Sequence, residues 1–237
     1  MHRNRLLAAL PGEELDRLKA ELTLVDLKPR KILYEPNEPI NHVYFPLNVV
    51  ISLISLTKEG ETVEIGMVGN EGLAGAGVLL GADTIPYRAV VQTAGKAARL
   101  EIETARKFFS RDPVIQKLLL RYIHTLLTQT AQSVICSRFH SLEERVARWL
   151  LATQDRAGNE AFPYTHEFVS TMLGARRVSV TLTLGVIERK KIIETTRGKI
   201  RIVDRGKLEK LACECYFIVR HDTNVFLAEI APHKRTN

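Results

Sequence analysis

Short runs of β-branched and aromatic residues alternate with turn signals between residues 25 and 102. Turn residues stand at Glu35-Pro36-Asn37-Glu38, Lys58-Glu59-Gly60 and Gly81-Ala82-Asp83. The runs predict strands over His42 to Phe45, Val49 to Leu56, Thr62 to Val68, Arg88 to Thr93, and Ala97 to Ile102. Many short strands with regular turns are typical of an antiparallel sandwich or jelly roll. Before them, Leu6 to Leu24 predicts one helix or two short ones, because Pro11-Gly12 interrupts the pattern.

A long helical pattern follows Asp112-Pro113, where proline suits the first turn of a helix. Its stripe recurs at alternating spacings of four and three: Ile115, Leu119, Tyr122, Leu126, Gln129 and Ser133, widened by Leu118, Ile123, Leu127 and Val134. About 28 residues give a rod of roughly 40 Å. The length favours pairing with a second copy of the helix, as in a coiled coil. The alternative is a core helix packed on its own sandwich.

Ser141-Leu142-Glu143-Glu144 is a capping box that predicts the start of a new helix. The buried stripe of that helix is predicted to be Leu142, Val146, Trp149 and Leu150. The segment 156–159 ends it and leads to a module with a distinct character.

Residues 165–188 predict two short helices joined by a tight turn. Thr165 is the expected cap of the first helix, which buries Val169, Met172 and Leu173. Gly174 permits the backbone conformation that a sharp turn between helices requires. The second helix must bury Val180, Leu184 and Ile187, which recur at helical spacing. This arrangement predicts a helix-turn-helix that reads DNA.

The opposite face of the second helix supplies the candidate contacts with DNA. Arg177 is the best placed for a bidentate contact with guanine, while Val178 and Leu182 suit thymine methyl groups. Two further strands about Gly198 predict a wing whose basic side chains face the phosphates. The full set of predicted DNA-binding residues is Thr165, Arg176, Arg177, Val178, Ser179, Thr181, Leu182, Arg197, Lys199 and Arg201.

Charge is concentrated in the same region. The chain has 237 residues, is 45% apolar and carries a formal net charge of +7. Eleven of its Lys and Arg residues, against five Asp and Glu, lie in residues 165–210. Such a local basic excess is the footprint of a polyanionic partner. No apolar run approaches the length of about 20 residues that a membrane span needs, so a cytoplasmic location is expected.

Three segments make the chain resemble the Crp/Fnr family of bacterial transcription regulators over nearly its whole length. They are L-K-P-R-K-I-L-Y-E-P-N-E-P-I-N-H-V-Y-F, S-L-E-E-R-V-A-R-W-L, and T-H-E-F-V-S-T-M-L-G-A-R-R-V-S-V-T with the wing after it. The resemblance implies an α+β fold with an N-terminal antiparallel β jelly roll, similar to cyclic-nucleotide-binding domains (residues 1–112). A dimerisation helix (113–140) and a C-terminal winged helix-turn-helix (141–237) would follow.

The resemblance also implies partners. They are double-stranded DNA with a roughly palindromic site, a second copy of the chain, RNA polymerase, and a small-molecule effector of unknown identity. The alternative is a ligand-binding regulatory module that acts on a protein partner. Neither interpretation is an enzyme, because no group of residues in the sequence forms a recognisable catalytic set.

Two departures from the family pattern affect the predicted sites. In the recognition helix, Val178 and Leu182 replace an acidic residue and an Arg that many members carry. In the sensor domain, the candidate effector residues are Asn70, Glu71, Gly72 and Arg88. Cyclic-nucleotide binders of the family hold the cyclic phosphate with an Arg on this strand, and Arg88 lies one residue away from the position of that Arg. A shift of one residue along a strand moves a side chain to the other face of the sheet. A cyclic nucleotide is therefore a candidate effector that Arg88 does not favour.

Three cysteines do not form a disulfide framework. The N-terminal cysteine cluster of iron–sulfur members of the family is missing. Cys213 and Cys215 form a C-x-C pair, and His221 is the candidate third ligand if the pair binds a metal. Inert, partly buried thiols are the favoured interpretation, and no metal site is predicted. Cys136 is expected at the interface of the long helix.

Overall fold

Seven strands build the amino-terminal half of the computed structural model, which describes residues 3–158, 161–196 and 198–230. They are β1 (Thr23–Leu27), β2 (Ile32–Tyr34), β3 (His42–Pro46), β4 (Val50–Leu56), β5 (Thr62–Val68), β6 (Arg88–Thr93) and β7 (Gly95–Glu101). They form two sheets, in the orders β1-β7-β3 and β2-β6-β4-β5, and all pairs are antiparallel. The predicted antiparallel sandwich is confirmed, and β1 and β2 are strands that the hydrophobic pattern alone did not reveal.

Short helices close the ends of the sandwich. They are α1 (Arg5–Ala8), α2 (Gly12–Glu21), a 3₁₀ helix at Ala76–Leu80, and α3 (Ile102–Arg111). The break at Pro11-Gly12 separates α1 from α2 as predicted. Asn4 is fully buried, caps α1, and donates to the carbonyls of Pro46 and Gly72 at 2.9 and 2.8 Å. These bonds fix the amino-terminal helices to the sandwich.

The long helix α4 (Pro113–Phe139) begins at a cap formed by Asp112, with proline in the first turn. Most of its predicted stripe packs on the sandwich of its own chain, whereas Leu127 and Val134, which widen the stripe, are exposed. Leu119 and Tyr122 lie in the sandwich core. The side chain of Gln129 accepts a hydrogen bond from the amide of Met67 at 2.9 Å and donates one to the carbonyl of Met67 at 3.1 Å. For this stripe the core-helix alternative is right.

A second apolar stripe on α4 is exposed. It consists of Leu120, Leu127 and Val134, which are 52%, 64% and 65% exposed and are spaced by seven residues. Heptad spacing places the three side chains on one face of the helix. The face available to a second helix is therefore this one, of which Leu120 was not predicted.

The carboxy-terminal half consists of helices around a small sheet. Its elements are α5 (Leu142–Ala157), β8 (Ala161–Pro163), α6 (His166–Leu173), α7 (Arg177–Arg189), β9 (Ile193–Thr196), β10 (Lys199–Ile202), α8 (Arg205–Leu211) and α9 (Glu214–Glu229). The predicted capping box is present at Ser141 and Glu144. Trp149 anchors the core, with Phe162 and Phe168 in edge contact.

The two halves share a hydrophobic core. Val50, Ile54, Met67 and Val90, on the outer face of the four-stranded sheet, belong to the same cluster as Trp149. The last helix, α9, runs antiparallel to α4, since Arg121 bonds Glu229 at 2.9 Å while Cys136 contacts Cys213 at 3.6 Å. Across the described ranges, no helix is long and apolar enough to cross a membrane.

Candidate nucleic-acid interface

The helix pair α6–α7 has the geometry that a sharp turn requires. Thr165 caps α6 by accepting a bond from the amide of Phe168 at 3.0 Å. Gly174 ends α6 in the left-handed conformation, with φ 55° and ψ 44°. A side chain there would be strained, so glycine is the residue that allows α7 to begin three residues later. The predicted turn is confirmed.

The two faces of α7 separate as the helical period predicts. Val180, Leu184 and Ile187 are buried at 0%, 1% and 0% exposure. The outward face is formed by Arg177, Val178, Ser179, Thr181 and Leu182, all exposed, with Arg176 directly before the helix. Val178 and Leu182 are 71% and 66% exposed, a costly arrangement for apolar side chains in water unless a partner covers them.

Two polar contacts hold the beginning of α7. Arg177 Nη1 lies 3.6 Å from Glu167 Oε2, and both side chains are exposed. His166 Nδ1 lies 2.7 Å from the hydroxyl of Thr181, which itself donates to the carbonyl of Arg177 at 3.0 Å. An exposed ion pair contributes at most about 1 kcal/mol. Arg177 could therefore leave Glu167 and contact a base edge or a phosphate of DNA at a small cost in free energy.

The wing is a three-stranded sheet in the order β8-β10-β9. Lys199 is exposed at the start of β10, and Arg201 bonds Glu194 across the hairpin at 2.6 Å. Arg197 lies outside the described residues. Strand β8 was not predicted, because three residues show too little alternation to be recognised. Burial, with a further effect of Glu188, raises the pKa of Tyr164 behind the wing to about 12, so this side chain is a neutral core residue.

The helix-turn-helix rests on the sensor half of its own chain. The hydroxyl of Thr62, at the start of β5, donates to the carbonyl of Thr171 in α6 at 3.2 Å. Gly174 faces Val63 of the same strand. Within the carboxy-terminal half, the side chain of Arg145 on α5 donates to the carbonyl of Leu173. These contacts involve α6 and the turn, and they leave the outward face of α7 exposed.

The predicted effector residues do not form one site. Glu71 is 6% exposed and bonds Arg156 of α5 at 2.8 Å, whereas Arg88 bonds Glu35 at 2.8 Å. Asn70 and Glu71 line a cleft of about 290 Å³ between the sandwich, α5 and α9, and Arg88 is not among its lining residues. At Gly72 an added Cβ would lie 2.2 Å from the Tyr122 ring, so the helix α4 closes tightly over this loop.

The three cysteines are buried together. Cys136 is 1% exposed and contacts Cys213 of the α8–α9 connection, so the interface of the long helix at which it packs lies within its own chain and not with a second copy. His140 completes the group, whereas His221 is exposed and does not belong to it. Sequence reasoning missed His140 because the signal, a Cys and a His four residues apart, lies far along the chain from the C-x-C pair.

The sandwich and the exposed helix define a winged helix-turn-helix protein with a cyclic-nucleotide-binding-like domain. Comparison of the chain with known protein families finds the same two parts. The cyclic nucleotide-binding domain matches residues 24–112, and the Crp-like helix-turn-helix domain matches residues 144–211. The chain belongs to the Crp/Fnr family of DNA-binding transcription regulators, whose members are not enzymes.

Individual relatives are distant. The chain is 23% identical over 181 residues to a global nitrogen regulator of Nostoc sp., covering 73% of this chain and 81% of the relative. Its fold is similar to that of a Crp/Fnr-family transcriptional regulator from Eubacterium rectale, with a TM-score of 0.70, 17% identity, and coverage of 89% and 99%. It is also similar to FixK2 from Bradyrhizobium japonicum, with a TM-score of 0.69, 16% identity, and coverage of 81% and 98%. At these identities the structural likeness concerns the fold alone.

Proposed function

We propose that the chain is a homodimeric, sequence-specific regulator that binds a roughly palindromic duplex in the cytoplasm. The observation that carries the proposal is the outward face of α7. It presents Arg177, Val178 and Leu182 to solvent at the start of a helix that suits the major groove. In this proposal residues 1–112 form the effector-sensing domain, residues 113–140 the dimerisation helix, and residues 141–237 the DNA-binding domain.

Pairing is supported by the exposed heptad stripe of α4. Leu120, Leu127 and Val134 are three exposed apolar side chains at heptad spacing on a helix of 27 residues. A twofold axis along this edge would bring two copies of α7 to one face of the dimer. Two-fold symmetry in the protein is then matched by a palindrome in the site. RNA polymerase is the partner through which a bound dimer would affect transcription.

Regulation would require an effector with different affinities for two arrangements of the reading helices. The cleft lined by Asn70 and Glu71 supports such a role, because it lies where the sandwich meets α5 and α9. A cyclic nucleotide is a poor candidate for it. Glu71 and Arg88, which would hold the ribose and the phosphate, are each engaged by another side chain. Calorimetry with cyclic AMP and cyclic GMP is expected to show no binding at micromolar concentration.

The proposal is tested by selecting duplexes from a random pool with the full chain. The expected result is a consensus with twofold symmetry, bound with an affinity that falls steeply with salt. Anisotropy titrations at several salt concentrations measure that slope. Recovery of no consensus, or binding that does not change with salt, would contradict the proposal and favour a module that acts on a protein partner.

A further inference from the structure

Cys136, His140, Cys213 and Cys215 converge from two distant parts of the chain. The first two lie on the last turn of α4 and directly after it, and the other two at the beginning of α9. Their ligand atoms, three thiol sulfurs and one imidazole nitrogen, all lie within 4.8 Å of one another. We propose that these four residues bind one zinc ion in a closed tetrahedral site.

The distances agree with a tetrahedron. Zinc binds cysteine sulfur at about 2.3 Å and histidine nitrogen at about 2.0–2.1 Å, which gives edges of about 3.8 Å between two sulfurs and about 3.6 Å between sulfur and nitrogen. The Sγ atoms of Cys136 and Cys213 are 3.6 Å apart. Cys215 Sγ and His140 Nδ1 are also 3.6 Å apart. Only small adjustments are needed to place a metal between the four atoms.

The orientation of His140 has an independent cause. Its Nε2 lies 3.1 Å from Oε1 of Glu214. A carboxylate accepts hydrogen bonds, so Nε2 carries the hydrogen and Nδ1 presents its lone pair towards the sulfurs. A carboxylate behind a ligating histidine is a recurrent feature of zinc sites, where it fixes the tautomer and the ring. Glu214 therefore serves as a positioning residue for the fourth ligand.

Burial and donor type favour zinc over the alternatives. Cys136, Cys213 and Cys215 are 1%, 3% and 0% exposed, and three thiolates with one imidazole form a recognised structural zinc set. The net charge of such a centre is −1, and the positive charge of Arg148, which lines the cleft beside Cys215 and acts on the Cys136 and Cys215 thiols, offsets it. A disulfide would use two of the sulfurs and would leave the third thiol and the oriented imidazole without a role.

The site would tie the end of α4 to the start of α9. Besides the four candidate ligands, Nε2 of His140 donates to Oε1 of Glu214 across the same junction. Because ligands far apart in sequence meet only in the folded chain, the free energy of metal binding adds to the free energy of folding. The inference does not depend on DNA binding, since it concerns the metal content and stability of the chain itself.

The first test is the metal content of the full chain, purified without a metal-affinity tag and measured by plasma mass spectrometry. One zinc per chain is expected, and exchange with Co²⁺ should produce the visible absorption of tetrahedral cobalt with thiolate ligands. Chelation should lower Tm, and restored Zn²⁺ should recover it. Iron in place of zinc, or no metal together with a Co²⁺ spectrum typical of six oxygen ligands, would overturn the proposal.

Variants separate the ligands from their surroundings. Cys213→Ser and His140→Gln should each lower the zinc content and weaken Co²⁺ binding at least tenfold, while His221→Gln, an exposed histidine of α9, should change neither. If a ligand variant does not fold, the cobalt spectrum of the unmodified chain still decides the question. Mass spectrometry of alkylated, unreduced protein completes the test, because a Cys136–Cys213 disulfide in the freshly purified, metal-free chain would contradict the zinc site.

Discussion

Glu71 of the sandwich and Arg156 of α5 form an ion pair at 2.8 Å in which the side chains are only 8% and 10% exposed. The amide of Gly69 also donates to Glu71, at 3.1 Å. Arg156 in turn reaches Gln129 of α4 at 3.5 Å. One buried pair thus joins the sensor loop, the long helix and the first helix of the DNA-binding half.

Removal of one member of this pair should destabilise the protein strongly. Glu71→Gln leaves the guanidinium of Arg156 buried without a counter-charge, and the expected loss in the free energy of unfolding is about 3–5 kcal/mol. The double variant Glu71→Gln/Arg156→Met should recover part of that loss. Urea denaturation is the measurement, followed by the fluorescence of Trp149, the one tryptophan of the chain.

A matched control is available at Arg88 and Glu35, which also lie 2.8 Å apart but are 31% and 32% exposed. Glu35→Gln should cost less than about 1 kcal/mol because solvent screens this pair. Equal losses for Glu35→Gln and Glu71→Gln would show that the burial of the second pair has no energetic consequence.

Arg177→Ala should weaken binding to the selected duplex by about 1–3 kcal/mol and relax the preference at one base pair of each half-site. The reason is the loss of a bidentate contact that distinguishes guanine. Competition binding with single-base variants of the site measures both effects. Arg17→Ala is a close control, since Arg17 is also 68% exposed and paired with a glutamate but lies on α2.

Lys199→Ala separates the wing from the recognition helix. A lysine that contacts phosphate should weaken binding to all sequences alike and reduce the salt slope by about one. If Arg177→Ala behaves in this way instead, Arg177 is a phosphate contact and specificity arises elsewhere on α7.

Local pattern predicted those parts of the molecule in which one element buries one face. Val180, Leu184 and Ile187 follow the helical period, so α7 was found from the sequence. The turn before it was found because a sharp turn between helices needs a backbone conformation that Gly174 permits. The strands between residues 42 and 102 were found for a different reason, because runs of β-branched and aromatic residues are bounded there by turn residues.

Contacts between residues that are far apart in the sequence were not predictable in the same way. Cys136 and Cys213 are separated by 77 positions, and their contact depends on the return of α9 along α4. Phe217, Ile218 and Val225 are exposed on α9, which blurs the periodicity by which that helix could have been recognised. The stripe of α4 was identified in part, since Leu119, Tyr122 and Gln129 are buried whereas Leu127 and Val134 are exposed. Periodicity does not reveal whether the partner of a stripe belongs to the same chain.

Leu127→Asp should weaken self-association of the chain by at least about a hundredfold. Leu127 is 64% exposed in the single chain, and a twofold interface would bury it once in each copy. Burial of one leucine contributes about 1.5–3 kcal/mol, so two copies contribute about 3–6 kcal/mol. Sedimentation velocity over a range of concentrations measures the change.

The control for the dimer is Leu24→Asp, because Leu24 is 56% exposed but lies on β1, an edge strand of the three-stranded sheet. It should leave the dimer intact. An unmodified chain that stays monomeric at micromolar concentration, or a Leu127→Asp chain that pairs as well as the control, would place the interface elsewhere.

Glu64 of β5 should make the stability of the protein depend on pH. It is 6% exposed, and its Oε2 has no hydrogen-bond partner among the described residues. Burial raises the pKa of Glu64 to about 7 from 4.5, against the opposing effects of Ser52, Arg148 and Arg156. The folded state therefore favours the protonated acid. Its contribution to stability is fully present below about pH 4.5 and is lost as the pH rises through about 7.

The corresponding loss in the free energy of unfolding is about 3 kcal/mol, which is measured by urea denaturation between about pH 5 and pH 8. Glu64→Gln should remove this part of the pH dependence and be the more stable chain at pH 8, since the amide cannot ionise. Glu61→Gln, an exposed position just before the same strand, should follow the unmodified protein. A Glu64→Gln chain that loses stability equally at every pH would mean that the carboxylate is ionised and satisfied in the fold.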